Sequence, residues 1–187
     1  MADPDLVELA RLEVEERVVD TFLEGVPVVA TDAPTKLGLD ELRRALDDLL
    51  TVVPAAADRG RPRLWVDRAF AARGAGTVVT GMLTDGVLRV GDEVEVQPAG
   101  VGARIRALQN HHEEREELPP GTRCALNLVG VAHTQVQRGD VVVGPGQWHL
   151  ATVVDASLRV LDQLDHSVSR RGAHVAYLGA GEHPVRM

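Results

Sequence analysis

From Arg63 onward the chain is a succession of short runs of Val, Leu, Ile and Thr separated by glycine turns, a texture that admits little besides antiparallel β-structure. The runs cover residues 64–70, 77–83, 93–96, 103–108, 122–129 and 140–143, a spacing that predicts a small closed barrel or a sandwich. Gly121, Gly130 and Gly139 bracket the later runs, where turns needing positive φ are expected. A second β segment is expected from Val153 through Leu158 to Val160 and again at 175–178, too short to close a barrel by itself.

The first fifty residues have a different period. Asp3 and Pro4 make a helix start, since Asp can cap free backbone N–H groups and Pro suits the first turn. Val7, Ala10, Val14, Val18 and Phe22 recur at three- and four-residue intervals, so an amphipathic helix is expected over 4–22 with one face on a core. Residues 27–30 read as a short buried strand, and Leu39, Leu42, Leu46 and Leu49 as a second amphipathic helix ending near Leu50. A helix-strand-helix unit normally docks on a parallel sheet, and only one strand is present, so the unit resembles the end of an α/β domain. The stretch 51–62 holds two prolines and a glycine and reads as a linker.

Composition narrows the function classes. A hydrophobic fraction of 44% over 187 residues suits a folded protein of one or two domains. No apolar run approaches the roughly 20 residues a bilayer demands, and the start resembles no secretory signal, so a cytoplasmic protein without membrane partners is expected. The net charge of −8 disfavours broad nucleic-acid binding. Nearly all the cations are arginines, which suit bidentate recognition of carboxylate or phosphate. The one lysine, Lys36, lies in no G-x-x-x-x-G-K-[ST] pattern, so the chain has no phosphate-binding loop. Cys124 is expected as a small buried side chain, and Trp65 and Trp148 as barrel-core or domain-packing residues. His111 and His112 sit beside an acidic run, 113–117, that reads as a solvated hairpin tip rather than a metal site. No residues show the spacing of a catalytic nucleophile and its base.

Gly74-Ala-Gly-Thr-Val-Val-Thr-Gly81, Leu83, Gly86, Leu88 and Val90-Gly-Asp-Glu-Val-Glu-Val96 together resemble the second, β-barrel domain of elongation factor Tu-like GTPases. The ordered series that follows is more specific: Arg104-Ile-Arg-Ala-Leu-Gln-Asn-His111, Pro120-Gly-Thr-Arg-Cys-Ala-Leu-Asn-Leu-Val-Gly-Val131, Val136-Gln-Arg-Gly-Asp-Val-Val-Val143 and Pro145-Gly-Gln-Trp148. It is similar to the selenocysteine-specific elongation factors. The resemblance implies a mainly β chain. Residues 1–52 would be the C-terminal remnant of a GTPase domain, 53–62 a linker, 63–150 the domain 2 barrel and 151–187 an incomplete third domain, with 158–161, 172–178 and 181–182 matching that domain's opening.

Function follows as an expectation. The family binds selenocysteyl-tRNA and delivers it to the ribosome with GTP and Mg2+. This chain lacks the P-loop, Asp-x-x-Gly and Asn-Lys-x-Asp motifs, so no cofactor and no GTPase activity are expected of it alone. It reads as a fragment that would need a missing GTPase portion, or as a truncated product without function. A general elongation factor Tu or initiation factor barrel is the alternative. Asp32 and Ala33 fall where the family's guanine loop has Ser-Ala, with Lys36 in place of a glycine, a substitution that disfavours base contact and leaves a plain strand-to-helix turn as the other reading. By the same resemblance Asp67, Arg68 and Arg123 form the selenocysteyl pocket, in which fixed guanidinium charges favour an ionised selenol over a hydroxyl. Adjacent strand residues point to opposite faces, so Asp67 and Arg68 can share a pocket only at a strand end or a bulge.

Overall fold

The structure, a computed structural model, describes residues 3–72, 74, 76–160, 168–169 and 172–186. Leu161, placed above in a third-domain motif, and Ala75, in the first glycine turn, lie outside the described residues. The chain divides into two compact units, one built on the chain up to Pro54 and the other beginning at Ala55.

In the first unit, helix α1 spans Pro4–Arg17, and the Asp3 side chain accepts from the Asp5 N–H at 3.1 Å, with Pro4 in the first turn. The helix stops five residues short of the expected end at 22, and the chain continues through turns to Gly25, where φ is +75°. Val7, Ala10 and Val14 share one face and line, with Val28 and Ala30, an open depression of about 470 Å³. None of the α1 residues is buried, so the apolar stripe faces no closed core. Residues 27–30 form no strand, because extended backbone becomes a strand only when another strand accepts its hydrogen bonds. Helix α2, Leu39–Val52, follows a turn closed by the Asp32–Leu37 bridge and by Gly38 at φ +71°.

The second unit is the barrel. Its strands are β1 (Arg63–Ala72), β2 (Gly76–Thr84), β3 (Leu88–Arg89), β4 (Glu93–Gln97), β5 (Val101–Asn110), β6 (Glu113–Arg115), β7 (Glu117–Leu118), β8 (Arg123–Val129) and β9 (Val141–Val143). Among the described residues the antiparallel order is β4-β9-β1-β2-β8-β5, and β4 pairs with β5 to close the ring. Closure removes the edges that an open sheet of this size would expose. Strand alternation sends Leu64, Val66, Val79, Leu83, Leu126 and Leu128 inward, each at most 2% exposed. Gly121, Gly130 and Gly139 all have positive φ, as the turns between strands require. The β5–β6 hairpin turns on His111 and His112, at φ +52° and +66°, so the tip is the histidine pair, while Glu113–Arg115 is already strand.

A hairpin of β10 (His174–Leu178) and β11 (Gly181–Val185) belongs to the same unit. Residues 153–160 are irregular, with Val153 and Val154 at 85% and 74% exposure, and the strand expected there does not form, no strand among the described residues pairing with it. No described helix is long and apolar enough to cross a membrane.

Candidate functional site

The site grows from one irregularity in the β1–β2 ladder. Val66 faces Gly81, yet the next pair is Arg68 with Thr80, so Asp67 is an extra residue in a β-bulge. Gly81 makes this possible, since a Cβ there would be driven into the Trp65 carbonyl. The bulge turns Asp67 toward the outer face of the barrel, where Thr80 Oγ1 donates to its Oδ1 at 2.6 Å. Arg123, the first residue of β8, donates from Nη1 to Asp67 Oδ2. Asn110 Nδ2 in turn donates to the Arg123 carbonyl at 2.8 Å, tying the start of β8 to β5.

Both oxygens of Asp67 are therefore engaged. Burial pushes its carboxyl up, but the hydrogen bonds from Arg123 and Thr80 and the charges of Arg123 and Arg68 outweigh this and hold it below the usual carboxylate range. Asp67 raises the Arg123 guanidinium in return, by its hydrogen bond first and its charge second. Arg68 is exposed, opposite Thr80, and makes no hydrogen bond or ion pair among the described residues. On the inner side of β8, next to Arg123, Cys124 is 4% exposed, and burial pushes its thiol up to about 12 against the pull of Arg123.

The structure brings Asp67 and Arg123 into contact and leaves Arg68 next in the strand, its guanidinium without an ion-pair partner among the described residues. The bulge that allows Asp67 and Arg68 to share a face is present. Asp32 and Ala33 belong to the first unit, in a self-contained turn where Thr35 Oγ1 donates to Asp32 Oδ2 at 2.6 Å and the Lys36 N–H to the Ala33 carbonyl at 3.3 Å. Trp65 and Trp148 are only half-buried and lie outside the barrel core, with the Arg63 guanidinium between them at 5.0 and 4.3 Å from the rings. Two residues escaped the sequence reading. Thr80 has no signature beyond being an outward residue of β2, and Asp85 sits in a turn at φ +63° although it is only 8% exposed. An acidic residue just before Gly86, with arginines at 59, 61 and 63, is the one hint that could have flagged the second.

Comparison with known proteins bears on the barrel first. Residues 76–143 match the model of the elongation factor Tu domain 2 family. The barrel belongs to the elongation factor Tu domain 2 family. Over 171 residues the chain is 34% identical to the selenocysteine-specific elongation factor of Desulfomicrobium baculatum, a match that covers 91% of this chain and 27% of the relative. Elongation factor 1-alpha of Metallosphaera sedula is 37% identical over 101 residues, 54% of this chain and 23% of that protein. The crystal structure of translation elongation factor SelB from Methanococcus maripaludis, in complex with the GTP analogue GppNHp, superposes with a TM-score of 0.71 at 27% identity, covering 77% of this chain and 32% of that one. The chain thus spans about a quarter to a third of the length of the relatives it matches.

Proposed function

We propose that this chain is the aminoacyl-binding part of a selenocysteine-specific translation elongation factor acting in the cytoplasm. In this reading residues 1–52 close a GTPase domain, 53–62 link it to the domain 2 barrel of 63–150, and 151–187 open a third domain. The observation that carries the reading is the Asp67–Arg123 pair, seated on the bulge with Arg68 beside it. Two guanidinium charges against one carboxylate leave one positive charge, which a single selenolate neutralises. A seryl hydroxyl offers no charge there, and the difference is the basis of selection. Selenocysteyl-tRNA is the substrate and the ribosome its destination. GTP and Mg2+ belong to the nucleotide-binding portion of such a factor, whose phosphate loop is not among these 187 residues.

The likeness of the barrel to elongation factor 1-alpha favours a second reading, a pocket for ordinary aminoacyl-tRNA. Protection of the aminoacyl ester from hydrolysis, measured with the full chain on selenocysteyl-tRNA and seryl-tRNA, separates the two. Selective protection of the selenocysteyl ester, lost in Arg123→Ala, is the expected result. Equal protection of both esters supports the general factor, and protection of neither removes aminoacyl binding from this chain.

A further inference from the structure

We infer that Thr80 is a positioning residue of this pocket: its hydroxyl fixes the Asp67 carboxylate, and through it the Arg123 guanidinium, in the orientation that meets an anionic aminoacyl side chain. The inference rests on the reading of the site given above. Asp67 is the extra residue of a bulge, so it has no register partner on β2 to define its rotamer. Thr80 does so instead, because a β-branched side chain has few χ1 choices on a strand and its Oγ1 lies 2.6 Å from Asp67 Oδ1. With that oxygen held, Oδ2 faces the start of β8 and receives Arg123.

Arg123 has 55% of its side chain exposed, and Asp67 is its one ion-pair partner among the described residues. A long, exposed guanidinium with a single anchor takes its direction from that anchor. Thr80 pairs with Arg68 on one side and Ala125 on the other, so the hydroxyl stands between the two arginine-bearing strands. Thr80 touches no charge of the ligand itself; its effect is transmitted through Asp67.

The test uses the full chain as wild type, Thr80→Val and Thr80→Ser. Valine keeps the shape and removes the hydroxyl, whereas serine keeps the hydroxyl. In the first measurement the Asp67 carboxyl carbon is followed by NMR through an acid titration. Its midpoint should rise in Thr80→Val and return in Thr80→Ser, and an unchanged midpoint in Thr80→Val overturns the inference whatever the chain does with tRNA. In the second, ester protection is compared for selenocysteyl-tRNA and seryl-tRNA. The preference should fall about tenfold in Thr80→Val, as losing a hydrogen bond to a charged group predicts, and recover in Thr80→Ser. A wild type that discriminates alongside a Thr80→Val that discriminates equally well overturns the inference. A wild type without preference counts against the pocket reading, and the titration then decides the role of Thr80 alone. Thr80→Ala gives the same comparison should the valine variant fail to fold.

Discussion

Arg63 Nη2 donates to Asp85 Oδ2 at 2.8 Å, joining the first residue of β1 to the turn that follows β2. Arg59 Nη1 takes the other oxygen at 2.7 Å, and the Arg59 and Arg61 N–H groups donate to the Asp85 carbonyl at 2.9 and 3.0 Å. One aspartate thus straps residues 59–61 and the start of β1 to the turn after β2. Hydrogen bonding from Thr84 and the charges of Arg63 and Arg59 outweigh burial and hold its carboxyl below the usual range.

Asp85→Asn tolerates the same positive φ and removes only the charge. It should cost about 1–2 kcal/mol at neutral pH, chiefly through Arg63, because the Arg59 side chain is 69% exposed and its pair is screened. The folded carboxyl titrates below its unfolded value, so the stabilisation is complete above the ordinary value of 3.8 and disappears as pH falls through the folded one. Thermal melts of the two proteins should therefore differ at pH 7 and converge in strong acid.

Gly81→Ala tests the bulge itself. The added Cβ would meet the Trp65 carbonyl carbon at 2.8 Å and Leu64 Cδ2 at 2.9 Å, and neither strand can retreat without breaking the β1–β2 ladder. We expect a loss of about 3 kcal/mol, read by urea denaturation.

Gly181→Ala examines how β10 and β11 sit on the barrel. Its Cβ would lie 3.1 Å from Gly139 Cα, close to where Arg138 Nε donates to the Ala180 carbonyl at 3.2 Å. Amides of His174–Leu178 should exchange roughly tenfold faster in the variant while those of β2 and β8 are unchanged.

Cys124 should be inert while the barrel is folded. Burial raises its thiol from 9.0 to about 12, so almost no thiolate exists at pH 8. Iodoacetamide should label it only in denaturant. Because the folded thiol holds its proton more tightly than the unfolded one, its contribution to stability is present below pH 9 and is lost as the pH rises toward 12.

Much of the second unit was legible because β-structure writes itself locally. Alternating residues such as Val94 and Val96 in β4, or Leu126 and Leu128 in β8, carry the period of a half-buried strand, and the glycines after them carry the turns. The motif series from Gly74 to Trp148 was enough to indicate the family. Two strands predicted from the same kind of pattern, at 27–30 and 153–160, do not form, and the α1 stripe covers no closed core. In each case the local signal is present and the partner that would use it is not among the described residues.

Residue types, periods and glycine positions, all properties of neighbouring residues, were determined by the sequence alone, and so was the absence of a phosphate loop. Tertiary structure decided what depends on register: that β4 closes onto β5, that one residue is inserted opposite Gly81, and that Thr80 and Arg123, 43 positions apart, each take one oxygen of Asp67. A single slip in a ladder exchanges the inner and outer faces of a strand, and no local pattern records where that slip occurs.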